Sequence, residues 1–477
     1  MVSRGDLLEL TIESAAFEGK GVARADGLVV FVPFGVPGDR IRARVIRKRR
    51  RHLEAVIEEL LEPSPDRIEA RCPHFGVCGG CSWQNVEYSL QLEFKRDQVR
   101  QLLRRIGGFD AISVAPPLPS PEPYYYRNKM EFSFGSRRWL LPEEIASEAP
   151  LEKDFALGLH IPGRFDRILD LRTCYLQSPL SAEILNWTRD FAIRAGWAPH
   201  DPRAHQGFAR NLVIRTGWNT DEVMVVLVTR DGSEDEVARY GEAMQEAFPQ
   251  VTTLLHSIHS GRSPVAAGAR TEALFGRGWI YEGIAGLSFR IGPFTFFQPN
   301  SAQTENLFEV IRDFASPKAG SKVWDLYSGV GAISIFLADS GASFVGVESG
   351  AEAVSAARLN AADNGAHHLQ FVVGEVEKVI DEEFVREKGR PDVVILDPPR
   401  AGIHVDALKR LLAVSAERIV YISCNPATQA RDLKILSADY RIGRVQPVDM
   451  FPQTPHIENV VELIGNRRYP TAVQPVA

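Results

Sequence analysis

The chain has 477 residues, too many for one hydrophobic core, so its length predicts two to four domains. Its 44% hydrophobic and 24% charged residues are typical of a globular protein, and no apolar run reaches the ~18 residues of a membrane span. A net charge of −6 excludes a uniformly basic nucleic-acid binder, and five cysteines give no secreted disulfide framework. Because MVSRGDLLELTIES also lacks the apolar core of a signal peptide, we expect a cytoplasmic protein with no membrane partner.

Residues 1–62 predict a small, OB-like β-barrel, because short alternating segments are separated by turn signals. Such barrels commonly bind oligonucleotides. Between Arg40 and Arg51 there are eight basic residues and no acidic one, a pattern that favours phosphate binding. The alternative is a solvated strand and turn. The candidate contacts are Arg47, Lys48, Arg49, Arg50 and Arg51. Two prolines within 61–66 indicate a linker.

A cysteine cluster follows the predicted linker. The spacing Cys72-x5-Cys78-x2-Cys81, with Cys174 further along, leaves one cysteine of the chain outside the set. Four thiolates can hold zinc or an iron–sulfur cluster, and the spacing does not choose between them. The alternative is a group of buried free thiols. Mixed strand and helix patterns place residues 63–83 and 116–291 in a central α+β domain.

Three aromatic residues are followed closely by two basic ones in the segment Tyr124-Tyr125-Tyr126-Arg127-Asn128-Lys129. Aromatic rings can stack on an unpaired base, and Arg127 and Lys129 can hold its phosphates. The alternative is a buried edge strand whose charged side chains reach solvent.

The last part of the chain alternates strand-like and helix-like segments, which predicts a Rossmann-like α/β domain formed by residues 84–115 and 292–477. A glycine-rich turn with Gly329 and Gly331 stands between a strand and a helix, where a backbone approaches a nucleotide closely. Ser334 occupies the third glycine position of a dinucleotide fingerprint, which disfavours a nicotinamide cofactor. Glu348, nineteen residues after Gly329, can accept hydrogen bonds from a ribose. The alternative is a tight turn with an exposed carboxylate.

Three further motifs stand at predicted strand ends, which surround the ligand crevice of an open α/β sheet. They are Asp397-Pro398-Pro399-Arg400, Ser423-Cys424-Asn425-Pro426 and the segment DMFPQTPHIE that ends at Glu458. Together with FFQPN (296–300), DLYSGVG and YRNK, they closely resemble the uracil-C5 RNA methyltransferase family, especially its 23S ribosomal RNA members. The resemblance covers nearly the whole chain.

The resemblance implies a reaction and a set of ligands. Cys424 would add to C6 of uracil, C5 would take a methyl group from S-adenosylmethionine, and Glu458 would remove the C5 proton. It also implies a TRAM RNA-binding barrel, a [4Fe–4S] cluster on the four cysteines, an RNA partner, with 23S rRNA the first expectation, and a monomer. The expected methyl-donor contacts are Gln298, Tyr327, Gly329, Gly331, Glu348, Asp397 and, by a looser alignment, Glu375.

Three alternatives stay open at this point. The first is a transfer RNA uracil-C5 methyltransferase, although simple bacterial enzymes of that type lack the barrel and the cysteine cluster. The second is methylation of an exocyclic amine, which also uses Asp-Pro-Pro but with an aromatic neighbour where this chain has Arg400. The third is an inactive RNA-binding assembly factor, which the presence of Cys424 and Glu458 disfavours.

Overall fold

The computed structural model describes residues 2–147, 151–263 and 266–466; residues 1, 148–150, 264–265 and 467–477, which the predicted domain bounds include, lie outside the described residues. The amino-terminal six-stranded sheet is barrel-like, as predicted. Its strands are β1 (Leu7–Thr11), β2 (Ser14–Ala15), β3 (Gly21–Ala25), β4 (Leu28–Val32), β5 (Arg40–Lys48) and β6 (His52–Glu62), in the order β1-β5-β6-β4-β3-β2. The alternating apolar residues of β5, Ile41, Ala43 and Val45, are buried in its core. The predicted linker begins two residues too early, because Glu62 still pairs with Arg40.

Helix α1 (Tyr88–Leu102) continues into a π-helical turn, Leu103–Gly107, and ends at Gly108 in the left-handed conformation. A glycine relieves the strain of a left-handed helix end. Val99 and Leu103 pack into the core of the carboxy-terminal sheet, far along the chain from their own position.

The central eight-stranded sheet has helices on one face. The elements of this domain are β7 (Lys129–Gly135), β8 (Arg138–Trp139), α2 (Pro142–Ala146), β9 (Ala156–Ile161), β10 (Arg164–Asp170), α3 (Pro179–Arg194), β11 (Ala209–Thr216), β12 (Val223–Thr229), α4 (Glu234–Ala247), β13 (Thr253–Ile258) and β14 (Arg270–Phe275). The strand order is β14-β13-β12-β11-β7-β9-β10-β8. The helices α3 and α4 cover one face with side chains such as Leu185 and Tyr240, which pack on Phe132 of β7.

A two-stranded hairpin, β15 (Ile280–Ile284) and β16 (Leu287–Ile291), joins the central sheet to the last one. Ile280 and Phe289 of this hairpin belong to one core with Val213 of the central sheet and Ile395 of the carboxy-terminal sheet. The central and carboxy-terminal sheets are therefore packed through a continuous apolar core.

The carboxy-terminal seven-stranded sheet confirms the predicted Rossmann-like fold. Its order is β19-β18-β17-β20-β21-β23-β22, in which the first five strands are parallel and β23 is antiparallel to its neighbours. The elements of this domain are α5 (Ser301–Ala315), β17 (Lys322–Leu326), α6 (Ala332–Phe336), a 3₁₀ turn (Ala338–Ser340), β18 (Ser343–Glu348), α7 (Ala351–Asp363), β19 (Gln370–Val373), α8 (Val376–Val379), α9 (Glu382–Lys388), β20 (Val393–Leu396), α10 (Val405–Val414), β21 (Arg418–Ser423), α11 (Pro426–Leu436), β22 (Tyr440–Val448) and β23 (Glu458–Gly465).

No helix among the described residues has both the length and the apolar character needed to cross a membrane.

A buried ion pair joins α1 to the loop between β22 and β23. The Lys95 ammonium donates to an Asp449 carboxylate oxygen and to the Phe451 carbonyl, at 3.0 Å for the second contact. Both charged side chains are fully buried, and the other Asp449 oxygen accepts from the Tyr88 hydroxyl at 2.9 Å. Burial lowers the pKa of Lys95, and the Asp449 charge opposes that shift. The pair is thus an obligate contact, since either charge alone would be buried without compensation.

Replacing Lys95 with methionine is expected to reduce the free energy of unfolding by about 3–5 kcal/mol, because Asp449 would remain buried without its cation. The matched control is Arg100→Met on the same helix, since the Arg100–Asp97 pair is exposed and contributes only ~0–1 kcal/mol. Urea unfolding of both variants gives the comparison. Equal stability of the two variants would contradict the role assigned to the buried pair.

Candidate active site

The glycine-rich turn after β17 forms one wall of the site. Tyr327 and Gly331 have φ angles of 66° and 78°, and Gly331 is the N-cap residue of α6. A Cβ atom on Gly331 would lie 2.8 Å from the Phe371 ring, so glycine is required there by both the backbone and the close packing. The turn leaves the Gly329 backbone open, with no atom within 4 Å of an added Cβ.

Glu348 ends β18 beside this turn. Its carboxylate accepts hydrogen bonds from the backbone amides of Gly329 at 3.1 Å and Gly350 at 2.8 Å. These bonds fix the carboxylate at the carboxyl edge of the sheet while leaving further lone pairs for hydroxyl donors. Glu348 and Gly329, which the sequence predicts as donor contacts, are therefore direct neighbours.

Asp325 and Ser334 are polar residues of this wall that sequence reasoning did not select. The Ser334 hydroxyl donates to Asp325 at 2.6 Å, which explains why a serine stands at the third glycine position. Burial raises the pKa of Asp325 to about 6. The second Asp325 oxygen and the Ser328 hydroxyl are buried without a hydrogen-bond partner among the described residues. Such unsatisfied atoms fit a polar ligand bound in this turn. The acidic residue that directly precedes the turn was the available signal.

Cys424, Asp397 and Glu458 meet at the ends of β21, β20 and β23. Burial raises the pKa of Cys424 to about 12, with further increases from Glu458 and Asp397. Burial and the Asp397 charge raise the pKa of Glu458 well above its usual range, and one Glu458 oxygen lacks a hydrogen-bond partner among the described residues. Burial, followed by repulsion from Asp325, raises the pKa of Asp397. The structure thus gathers three acidic groups whose ionisation is suppressed, as in a site prepared for proton transfer.

Arg400 is the cation of this group, and it lowers the pKa of both Cys424 and Glu458 against the raising effect of burial. Its carbonyl accepts from the Asn425 amide at 3.0 Å, and Asn425 also caps α11. One Arg400 guanidinium nitrogen lies 3.1 Å from Nδ1 of His456, whose pKa is lowered to about 4 by burial and then by Arg400. His456 is therefore a neutral partner that holds Arg400 near the reactive groups.

The structure supports Gln298 and Glu375 to different degrees as predicted contacts of the methyl donor S-adenosylmethionine. The Gln298 carbonyl accepts from the Asn128 side chain at 2.8 Å, so the central domain holds this segment in place. Tyr327, the predicted S-adenosylmethionine contact in the glycine-rich turn, is half-buried. Glu375 is exposed at the start of α8 and pairs with Lys378 at 2.7 Å. It follows β19 and therefore lies at the same carboxyl edge of the sheet, but its carboxylate is engaged with a lysine.

The four predicted metal ligands line one small cavity of about 30 Å³. Cys72, Cys78, Cys81 and Cys174 surround it. Burial raises the pKa of Cys81 to about 12, and repulsion from the other three thiols adds to the effect. Thiolates in such a place need a compensating cation. Among the described residues, however, no group of three or more potential ligands converges closely enough to hold a metal ion. The chemistry of four thiols fits a metal group, whereas the described side chains do not converge on a metal position.

The predicted RNA contacts fall into two places. In β5, arginines make ion pairs with acidic residues of the neighbouring strands, among them Arg42 with Glu59 and Arg47 with Glu54 at 3.4 Å. Lys48 donates to the Val2 carbonyl. The exposed cationic surface is thus concentrated at the β5–β6 turn, formed by residues 49–51.

Arg127 and Lys129 lie in the central domain at the entrance to β7. The tyrosines beside them are occupied: the buried Tyr126 hydroxyl donates to the Pro452 carbonyl at 3.0 Å. The Arg71 guanidinium lies 5.2 Å from the Tyr124 ring centroid and 5.1 Å from that of Tyr125. This arrangement favours a structural role for the tyrosines and leaves the two cations as candidate phosphate contacts.

Comparisons with known proteins agree with this geometry. The family model for tRNA (uracil-5-)-methyltransferase matches residues 284–466, and the model for the TRAM domain of tRNA (uracil(54)-C(5))-methyltransferase matches residues 8–65. Proteins of Bacteroides thetaiotaomicron and Porphyromonas gingivalis, both described as uncharacterized RNA methyltransferases, are 40% and 42% identical to the chain. The first alignment covers 94% of this chain and 99% of the relative, and the second covers 96% and 100%.

A solved structure is similar over almost the whole length. The tRNA (uracil-54, C5)-methyltransferase of Pyrococcus abyssi, solved in complex with S-adenosyl-L-homocysteine, superposes with a TM-score of 0.75 at 31% identity. The match covers 96% of this chain and 99% of that protein. The likeness therefore includes the barrel, the central domain and the carboxy-terminal domain.

Proposed function

We propose a substrate and a mechanism for this chain, which belongs to the RNA (uracil-5-)-methyltransferase family and is an S-adenosylmethionine-dependent enzyme. The proposed reaction is methylation of C5 of a uridine in 23S rRNA through a covalent adduct on Cys424. The observation that carries it is the meeting of Cys424, Glu458 and Asp397 beside the glycine-rich turn.

Cys424 is the proposed nucleophile because C5 of uracil is too weak a carbon nucleophile by itself. Addition of the thiolate forms an S–C6 bond and moves the C5–C6 electron pair onto the ring as an enolate. When bound, S-adenosylmethionine would supply an electrophilic methyl group, which C5 takes as the sulfonium S–CH3 bond breaks and leaves S-adenosylhomocysteine as a neutral thioether. Methylation of an exocyclic amine would need no such cysteine, so this arrangement disfavours that alternative.

Glu458 is the proposed general base of the second half of the reaction. Its carboxylate takes the C5 proton, the C5–C6 double bond reforms, and the electron pair of the S–C6 bond returns to Cys424. Because the pKa of Cys424 is raised to about 12, its thiol is mainly protonated near neutral pH, and the raised pKa of Glu458 shifts that carboxyl toward its protonated form. The ionised, active forms of both groups therefore increase as pH rises. Arg400 opposes this protonation from the same edge of the sheet, and is thus the cation that supports both active forms.

Cys424→Ala and Glu458→Gln are expected to fail at different steps. Cys424→Ala should lose at least about a thousandfold in turnover and form no RNA adduct, while it retains S-adenosylmethionine affinity. Glu458→Gln should form a methylated adduct that persists under denaturing conditions, because C5 deprotonation is blocked. Denaturing electrophoresis with labelled RNA separates these results. An adduct in the alanine variant, or free RNA alone with the glutamine variant, would contradict the assigned roles.

The expected substrate is 23S rRNA because the motifs resemble the ribosomal RNA members of the family. The relatives that are 40% and 42% identical are bacterial, and simple bacterial tRNA enzymes lack the barrel that this chain has. The second candidate is tRNA, favoured by the Pyrococcus abyssi enzyme, since its likeness covers 96% of this chain, barrel included. The barrel alone therefore does not identify the RNA.

Mapping 5-methyluridine in a strain that lacks the gene discriminates between the two substrates. Loss of the modification at one position of 23S rRNA, restored by wild type and not by Cys424→Ala, is the expected result. Loss confined to tRNA would contradict the ribosomal assignment while preserving the chemistry.

The four cysteines are proposed to hold a [4Fe–4S] cluster, in line with the family resemblance. Four thiolates can hold either zinc or an iron–sulfur cluster, and the described side chains do not converge on a metal position that would choose between them. A larger cluster is compatible with thiols placed around a cavity. Since the proposed reaction involves no net oxidation or reduction, the expected role of the cluster is structural.

Anaerobically purified protein should contain roughly four iron and four sulfide per chain, and Cys81→Ser should lower both contents. Chemical analysis of metal and sulfide provides the measurement, with Cys424→Ser as the control that leaves them unchanged. Stoichiometric zinc without sulfide would contradict the cluster assignment.

A further inference from the structure

A cleft of about 1020 Å³ opens on the central sheet, apart from Cys424 and the glycine-rich turn. It lies on the face of β7 opposite the helices α3 and α4. Along β7, Phe132 packs in the core on the helix side, whereas Lys129, Glu131 and Ser133 line the cleft, as expected for alternating strand residues. An open sheet face with charged residues is suited to binding a partner rather than to further core packing.

The cleft is cationic in a chain whose net charge is negative. Its lining includes Arg127, Lys129, Arg164, Arg210 and Arg262, against the two acidic residues Glu131 and Asp166. Asp166 is itself engaged by Arg203 at 2.8 Å. The excess of positive charge is complementary to a polyanion.

An aromatic ring stands exposed in the same cleft. Phe165, near the start of β10, is 65% exposed, an unusual state for a phenylalanine on a sheet. Exposed Arg164 precedes it in the chain, and the Arg203 guanidinium lies 5.7 Å from its ring centroid. Exposed aromatic rings between cations are the combination that binds single-stranded nucleic acid, because bases stack on the ring while cations hold the phosphates.

One end of the cleft is tied by backbone and side-chain contacts to the segment that contains Gln298. Arg127 at one end of it pairs with Asn300 through the backbone, and the neighbouring Asn128 holds the Gln298 carbonyl. At another side the wall is Gly79, where an added Cβ would lie 3.1 Å from Pro162. Pro162 stands in the turn that leads to Phe165, so the cysteine-bearing loop supports the aromatic edge of the cleft.

We propose that this cleft binds a single-stranded segment of the RNA substrate outside the target uridine, with a base stacked on Phe165 and phosphates held by Arg164 and Arg262. The inference rests on the proposed function in taking that segment to belong to the methylated RNA. An acidic peptide would use the cations, but it would leave Phe165 without a stacking partner.

The test uses the full-length protein and a short oligoadenylate that carries 2-aminopurine, whose fluorescence decreases on stacking. Because the probe lacks uridine, its binding does not depend on methyl transfer. Phe165→Ala and Arg262→Ser are each expected to weaken binding roughly tenfold, and Phe165→Trp is expected to restore the fluorescence decrease. The matched controls are Trp218→Ala, another exposed aromatic residue of the central domain, and Arg194→Ser on the helix-covered side of the sheet.

With the full RNA substrate, Phe165→Ala should raise KM while kcat at saturating RNA stays unchanged. Affinity equal to wild type in Phe165→Ala, or equal losses in the controls, would overturn the cleft assignment. Binding of oligoglutamate as tightly as oligoadenylate would overturn it in favour of an acidic partner. If oligoadenylate binding depends on Phe165 but no 5-methyluridine forms, the proposed function fails and the nucleic-acid cleft stands.

Discussion

The buried contact between Lys95 and Asp449 fixes the loop that carries the proposed base. Asp449 begins this loop, and Glu458 follows it as the first residue of β23, so the ion pair anchors the loop on a helix from a distant part of the chain. Further along the same loop, the side-chain amides of Gln91 and Gln453 are hydrogen-bonded at 3.0 Å. These contacts explain why α1 packs with the carboxy-terminal sheet although more than 200 residues separate them in sequence.

The anchored loop allows Glu458 to be buried without a full set of hydrogen bonds. A carboxyl on an unanchored loop would turn toward water, whereas this one remains buried beside Cys424, Asp397 and Arg400. The unfavourable free energy of burying this carboxyl is offset by favourable interactions elsewhere in the fold, as is usual for groups with shifted pKa values at reactive sites. Arg400 then determines how far that suppression of charge extends, because it alone among the named neighbours favours both ionised forms.

The sequence predicted the candidate site residues from specific motifs and the fold from clear periodicity. The strand Lys322–Leu326 and the glycine-rich turn after it were predictable, since alternation and glycine placement are local signals. The role of Ser334 was not predictable from the sequence, because its hydrogen bond to Asp325 forms only when the turn between the two residues brings them together. The ion pairs of β5 were not predictable from the run of arginines, because their partners lie on other strands. The cleft around Phe165 was also missed, since its residues come from separate strands and no linear motif unites them.

The most direct test of the covalent mechanism is mass spectrometry of the enzyme after reaction with substrate RNA in which the target uridine is replaced by 5-fluorouridine. In 5-fluorouridine C5 carries fluorine in place of hydrogen, so after methyl transfer no proton is left on C5 for Glu458 to remove. The reaction should therefore stop with Cys424 still bonded to C6. The account predicts a protein–RNA adduct that contains the transferred methyl group, located on the peptide that includes Cys424. Unmodified protein after complete incubation, or an adduct on a different residue, would contradict it.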